Sequence, residues 1–216
     1  MELIKHSVKS TLYNMRQYLK WLFFGALTGL VTGLVAAAFS YCLEWATNMR
    51  TAHPFQFLLL PLGGLVIVFL YKALHYENSH GTDSIIESIH SRITIPLRMA
   101  FLIFVSTVIT IFCGGSVGRE SAALQIGASF GKSLGDLFHF DERDKKIILM
   151  SGMAAAFSAL FGTPMTASFF AMEVSSVGIM YYAALVPCIC AALVVYWKKP
   201  TSMDFEVVLV DEPLGY

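Results

Sequence analysis

The chain has 216 residues, of which 56% are apolar and 14% are charged, and fifteen basic side chains balance fifteen acidic ones. About a quarter of the residues in soluble domains are charged, so this composition favours a protein of the lipid bilayer. The formal net charge of zero gives no overall field that would attract nucleic acid, and we expect no nucleic-acid partner.

Five stretches without a charged residue predict the membrane-embedded part of the chain. They cover residues 21–43, 55–71, 99–117, 147–172 and 174–197. A helix needs about 20 apolar residues to cross a hydrocarbon core, and lipid cannot satisfy exposed backbone groups, so we expect helices. The sequence therefore predicts an all-α, polytopic membrane helix bundle. Five buried helices in a soluble protein would need more amphipathic sequence to cover them.

The residues before the first apolar stretch predict an amphipathic helix at the membrane surface. Residues 1–18 place Leu12 and Met15 on one side, together with Leu19. The basic residues of this region are Lys5, Lys9, Arg16 and Lys20. Cytoplasmic segments carry an excess of such residues, so we expect the N-terminus and the basic loop 141–146 to be cytoplasmic.

The first membrane helix carries a row of glycines at a spacing of four, Gly25, Gly29 and Gly33. Small residues at this spacing allow two membrane helices to approach closely. The row therefore predicts a packing surface without chemistry of its own.

All four cysteines fall in or at the edge of the apolar stretches: Cys42, Cys113, Cys188 and Cys190. The Cys188-x-Cys190 pair lacks the spacing of a metal site and has no histidine close to it in sequence. We therefore expect packing roles for the cysteines, and neither a metal nor another cofactor.

A polar connector, residues 76–92, follows the second apolar stretch. Its ionisable side chains are Glu77, His80, Asp83, Glu87, His90 and Arg92. Two interpretations fit this pattern: a loop outside the membrane, or a short half-helix that enters it.

The third apolar stretch ends in a cluster of glycines that predicts a break in the helix. Gly114, Gly115 and Gly118 precede the charged pair Arg119 and Glu120, after which apolar helical sequence resumes. The N-terminus of the new helix would present unpaired N–H groups and positive dipole, an arrangement that binds anions. Glu120 would occupy this site as a substitute anion, and protonation or competition by a real anion would free it. A simpler interpretation is that both charges cap an interfacial helix and reach water.

The fourth apolar stretch is interrupted at residues 162–164, and Pro164 suits the first turn of a new helix. The stretch therefore predicts two short helices. Glu173 follows them, and it either caps the next helix or is buried with a hydrogen-bond donor.

Three segments together resemble the CLC family of chloride channels and proton-coupled chloride transporters. Residues 118–122, Gly-Arg-Glu-Ser-Ala, are similar to the family's G-[KR]-E-G-P motif. Residues 79–83, Ser-His-Gly-Thr-Asp, fall where the family has G-S-G-I-P. Residues 151–174 resemble a long family run of small residues that ends near a glutamate, and this match is the most specific of the three.

The resemblance implies a set of site residues. Glu120 would be the gate, and the anion would be bound by His80, Gly81, Gly118, Arg119 and Ser121. His80 replaces the family's anion-contacting serine, and two interpretations fit it: it donates a hydrogen bond to the anion, or it faces water. Arg119 would hold the loop by pairing with an acidic neighbour such as Glu87. Family members that exchange protons have a glutamate one residue after the position of Glu173. Here that residue is Val174, as in the family's channels, so Glu173 and Val174 mark a structural or proton-path position.

The resemblance also implies the surroundings of the chain: a multi-pass protein of the cell membrane, a homodimer, and chloride or a similar anion as the transported ligand. It covers only the first of the family's two inverted repeats, so the second half of the pore has no counterpart. We expect an N-terminal helix (1–18), a CLC-like membrane half (19–199) and a polar tail (200–216), together forming a fragment.

Three functions are compared on this basis. The first is a voltage-gated chloride channel-like pore with a glutamate gate. The second is a non-conducting half-pore or assembly partner, or one subunit of a proton-coupled antiporter. The third, an intramembrane enzyme, would need a nucleophile with a base or a metal triad within the spans, and we find neither, so we expect no enzyme.

Overall fold

A computed structural model describes the backbone of residues 2–52, 54–74, 97–174 and 180–197. Seven α-helices lie in this part of the chain: α1 (Glu2–Ala52), α2 (Leu60–Ala73), α3 (Leu97–Phe112), α4 (Arg119–Leu137), α5 (Glu142–Phe161), α6 (Pro164–Glu173) and α7 (Leu185–Trp197). Short 3-10 helices, Pro54–Leu59 and Tyr182–Ala184, precede α2 and α7. The expected all-α architecture is confirmed for these residues. The polar tail 200–216 lies outside them.

Helix α1 is continuous over 51 residues, so no break separates the surface helix 1–18 from the first span. At about 1.5 Å per residue the helix is about 75 Å long, which exceeds the thickness of a bilayer. Its ends must therefore extend beyond the hydrocarbon core.

The five apolar stretches do not become five equal spans. Among the described residues, Met15–Ala52 and Phe55–Ala73 are helical segments long and apolar enough to cross a membrane. Leu97–Phe112 and Tyr182–Tyr196 are shorter apolar helices. The stretch 147–172 is divided between α5 and α6, as its proline predicts.

Helices α4 and α5 form the centre of the molecule, surrounded by α1, α3, α6 and α7. In α5, every residue from Ile147 to Leu160 except Phe157 is buried. In α4, the eight residues from Ala122 to Ser129 are all buried. The interior of the bundle is thus built on two helices whose sequences are rich in alanine, glycine and serine.

The glycine row of α1 packs against α7. A Cβ atom on Gly29 would lie 2.5 Å from the carbonyl oxygen of Ala191, and one on Gly25 would lie 2.8 Å from that of Pro187. Gly33 faces the side chain of Val195. The prediction that this row is a packing surface is confirmed.

One end of the bundle brings together the two segments predicted to be cytoplasmic. Lys20 of α1 forms an ion pair with Asp144 of α5 at 2.8 Å. Lys145 donates hydrogen bonds to Asp136 at 2.7 Å and to Glu142 at 3.2 Å, and these bonds raise the pKa of its amine. We refer to this region as the charged end.

Aromatic rings lie beside the charged end. The cluster comprises Trp21, Phe24, Phe138 and Phe140. The Lys20 ammonium lies 5.1 Å from the ring centre of Trp21 and 4.9 Å from that of Phe140. Aromatic and basic side chains of this kind are enriched where a membrane protein meets the headgroups.

A candidate anion gate at the start of helix α4

The predicted break lies between α3 and α4. Gly114 has φ of +88°, and its N–H donates to the carbonyl of Ile111, while the N–H of Gly115 donates to that of Thr110. These two bonds form a Schellman motif, which ends a helix with glycine in the left-handed region. The glycines therefore end α3 in the way that their sequence predicts.

Helix α4 then begins at Arg119, with Gly118 as its N-cap residue in extended conformation. No side chain accepts a hydrogen bond at this cap. The first four N–H groups of a helix have no partner within it, and the dipole makes this end positive. The start of α4 is therefore suited to a negative group.

Glu120 lies in the first turn of α4, with an exposed side chain. Its Oε2 atom lies 3.1 Å from the position that a Cβ atom on Gly118 would occupy. The carboxylate therefore folds back over the start of its own helix, and the absence of a side chain at Gly118 leaves room for it. Two residues later, at Ala122, the helix enters the core, so this charge lies at the exposed end of a buried helix.

Arg119 and Ser121 flank the glutamate. Arg119 is exposed and forms no ion pair with any residue that the structure describes, and Ser121 is partly buried. The expected partner of Arg119, Glu87, lies outside the described residues, as do His80 and Gly81. The structure thus brings together Gly118, Arg119, Glu120 and Ser121, and leaves the second predicted half-helix undescribed.

Glu173 is the last residue of α6, and its side chain is exposed. The expectation that this residue could be buried beside a donor is therefore wrong for this chain. Val174 is partly buried, and its N–H donates to the carbonyl of Phe170 at 2.9 Å. The other expectation, that Glu173 caps the next helix, stays a prediction, because residues 175–179 lie outside the described part of the chain.

Sequence reasoning missed two polar residues in the buried part of α4, Gln125 and Ser129. Both lie within the eight-residue buried stretch, where polar side chains are rare. The sequence does contain a signal for them: two polar residues four apart, on one helix face, in a run of otherwise small and apolar residues.

The cysteines lie in the apolar parts of the bundle. Cys113 and Cys188 are buried, and Cys42 and Cys190 are partly buried. Over the described ranges, no group of three or more His, Cys, Asp or Glu side chains is arranged to hold a metal ion. The Sγ atom of Cys188 lies 3.9 Å from the Oγ atom of Ser151, a packing contact within the core.

A helical bundle with a helix that breaks and restarts beside a charged residue is typical of membrane proteins with discontinuous helices. The sequence profile described as "Voltage gated chloride channel" matches residues 63–210 of this chain. This match covers more than half of the chain, and the chain belongs to this family. The family that the sequence motifs resemble is thereby confirmed.

Two curated relatives illustrate the likeness. The "Chloride/fluoride channel protein" of Pseudomonas syringae pv. tomato is 37% identical over 176 residues, which are 81% of this chain and 39% of that protein. The "H(+)/Cl(-) exchange transporter ClcA" of Salmonella schwarzengrund is 29% identical over 168 residues, or 70% of this chain and 35% of the transporter. The chain therefore spans less than half the length of these relatives.

Two solved structures share the fold. A CLC-type fluoride/proton antiporter superposes with a TM-score of 0.77 at 30% identity, over 88% of this chain and 51% of the antiporter. A slow cyanobacterial Cl−/H+ antiporter superposes with a TM-score of 0.60 at 20% identity, over 81% of this chain and 46% of that one. The second likeness shows the fold alone. Together the comparisons place this chain in the N-terminal region of the family.

Proposed function

We propose that this chain forms one half of a membrane pathway for a small halide ion, with Glu120 as its gate. The observation that carries the proposal is the position of the Glu120 carboxylate. It folds over the start of helix α4, which has no side-chain cap and whose following residues are buried in the core. Membership of the family supports an anion as the ligand.

The gate would work by competition. A halide ion that leaves water needs donors in place of its hydration shell, and the first N–H groups of α4 supply them. Ionised Glu120 neutralises the same positive helix end. Protonation of Glu120, or a sufficient concentration of halide, would free this end and open the path.

The family resemblance supplies the remaining parts of the proposed site. His80 and Gly81 would begin a second half-helix that faces the anion, with Gly118, Arg119 and Ser121 on the α4 side. The pathway would lie in the cell membrane with the charged end in the cytoplasm, and two copies of the complete pore would form a dimer.

The names of the relatives favour fluoride as the first anion to test. The more similar curated relative is described as a chloride/fluoride channel protein, and the more similar structure as a fluoride/proton antiporter. The proteins described as chloride/proton exchangers are less similar: the curated exchange transporter is 29% identical, and the cyanobacterial antiporter structure is 20% identical. The fluoride/proton antiporter and the exchange transporter favour proton coupling, whereas the curated relative at 37% identity is described as a channel and Val174 is not an acid.

Ion flux from liposomes tests the gate. The purified full chain is reconstituted in vesicles loaded with fluoride or with chloride, and efflux is followed with ion-selective electrodes at acidic and neutral pH. Glu120→Gln removes the negative charge and the titratable proton but keeps the size of the side chain. We expect its anion efflux to lose the pH dependence of the wild type.

Glu142→Gln is a matched control, because Glu142 is also a glutamate in the first turn of a helix. It lies at the charged end, where its exposed pair with Lys145 contributes little to stability. Its efflux should follow the wild type at every pH. A Glu120→Gln chain that keeps the full pH response would refute the gate.

A second candidate function is a half-pore that does not conduct alone. Coverage of only 39% of the channel relative and 51% of the antiporter structure favours it. Wild-type vesicles that release neither halide would support this candidate, and efflux from the chain alone would exclude it.

A further inference from the structure

Two buried polar side chains follow the gate in helix α4. Gln125 is 7% exposed and Ser129 is 0% exposed. Within the described part of the chain, the Oε1 atom of Gln125 and the Oγ atom of Ser129 have no hydrogen-bond partner. Unpaired polar atoms are costly in an apolar interior, and proteins nearly always pair them with another group or with ordered water.

The two side chains share one face of α4, since they are four residues apart. Their Cβ atoms are about 5–6 Å apart at this spacing, so both polar groups can reach one shared water with hydrogen bonds of about 2.8 Å. Ser121 lies one turn before Gln125, and Ser133 lies one turn after Ser129. We refer to Ser121, Gln125, Ser129 and Ser133 as the α4 polar row.

The α4 polar row runs for about 18 Å along an otherwise apolar helix and joins two carboxylates. Glu120 precedes its first member. At its far end, one turn beyond Lys132, the carboxylate of Asp136 is half exposed and accepts a hydrogen bond from Lys145. Between Glu120 and Lys132, helix α4 contains no charged residue.

We propose that the α4 polar row holds a file of water molecules that carries protons between Glu120 and the charged end. This inference rests on the proposed halide transport. Protonated Glu120 gives its proton to the first water, and each water accepts one proton as it passes another on. The carboxylate of Asp136 or bulk water takes the last proton, beside Lys132, Lys145 and Glu142. No group is oxidised or reduced.

The side chains of the row have different parts in this path. Gln125 holds a water by accepting from it, while the hydroxyl of Ser129 both accepts and donates. Ser133 already donates its hydroxyl hydrogen to the carbonyl of Ser129 at 2.8 Å, so its oxygen can hold a water only by accepting from it. The route does not need an acid at the position of Val174, so this valine is compatible with proton coupling.

The test uses Gln125→Leu, Ser129→Ala and the double variant of the full chain in the liposome assay. Each change removes a polar atom that is unpaired in the structure, so the protein should still fold. Anion efflux is recorded with an ion-selective electrode, and proton movement with a pH electrode in the same vesicles. Ser151→Ala is the matched control, because Ser151 is equally buried but its hydroxyl donates to the carbonyl of Ile147.

We expect the ratio of protons to anions to fall about tenfold or more in the double variant, and to stay unchanged in Ser151→Ala. A wild-type ratio in the double variant would overturn the inference, as would proton and anion fluxes that fall in equal proportion. A wild type that moves halide without protons would overturn the inference and leave the proposed function standing. A wild type that moves no halide would overturn both.

Discussion

Gly114 shows how a single residue sets the position of the proposed gate. Its φ of +88° turns the chain out of α3, and a Cβ atom there would lie 3.3 Å from the Cα atom of Phe57. Residues with a side chain rarely adopt this conformation, whereas asparagine tolerates it better than alanine does. The break before Arg119 therefore depends on a residue without a side chain.

Gly114→Ala should lower the free energy of unfolding by about 1–2 kcal/mol, the approximate cost of left-handed backbone for a residue with a Cβ atom. Gly114→Asn should lower it less, since asparagine is the residue next best suited to this conformation. Thermal unfolding in one detergent, compared with the wild type, measures both changes. Equal losses for the two variants would indicate that crowding by Phe57, and not the backbone conformation, decides the cost.

Local signals of this kind were readable in the sequence. The end of α3 at a glycine cluster and the start of α6 at Pro164 depend on the backbone properties of the residues themselves, so they could be predicted. The unpaired atoms of Gln125 and Ser129 could not be predicted, because they depend on which neighbours surround α4. The exposure of Glu173, which was expected to be either a helix cap or buried, also depends on the surrounding helices and could not be predicted from its own segment.

At the scale of elements, the closest approach in the core joins α4 and α5. A Cβ atom on Gly127 would lie 2.5 Å from the carbonyl oxygen of Gly152, and one on Gly131 would lie 2.6 Å from that of Ile148. A Cβ atom on Gly152 would in turn meet the carbonyl oxygen of Gly127. The glycines let two backbones touch, which holds the tip of α4 at a fixed position against α5.

Gly152→Ala should destabilise the bundle by about 1–3 kcal/mol, because the added methyl group meets backbone that cannot move aside. Gly64→Ala is the control, since a Cβ atom there has no neighbour within 4 Å in the described structure. This change in helix α2 should stabilise the chain by about 0.5–1 kcal/mol. Thermal unfolding in detergent gives both values, and a neutral Gly152→Ala would refute the close contact.

The partners of these glycines mark a second limit of the sequence. A spacing of four in α1 predicted a packing surface, but only the structure identifies α7 as the helix that covers it. The pairing of α4 with α5 was not predicted, because glycines 127 and 152 are far apart in sequence. The residues around one glycine do not indicate that the other is its partner. A pattern of small residues in one helix indicates that this helix packs closely against another. It does not indicate which helix the partner is.

At the scale of the whole molecule, the charged end fixes which segments share a side of the membrane. The ion pair of Lys20 with Asp144 holds the start of the apolar part of α1 beside the turn between α4 and α5. Arg16 and Asn48 are both exposed, and they are separated by about 48 Å along α1, which exceeds a bilayer with its headgroups. Arg16 and Asp141 should therefore face one compartment, and Asn48 the other.

Labelling of single introduced cysteines with a membrane-impermeant maleimide tests this arrangement. Arg16→Cys and Asp141→Cys should react in inside-out vesicles, and Asn48→Cys in right-side-out vesicles, if the basic end is cytoplasmic. The unsubstituted chain is the control for its four native cysteines, of which Cys113 and Cys188 are buried. If all three positions react with the sides exchanged, the bundle is correct and only its orientation is reversed. If Arg16→Cys and Asp141→Cys react from opposite sides, the packing of α1 against the turn between α4 and α5 is wrong, and with it the proposed path from Glu120 to the charged end.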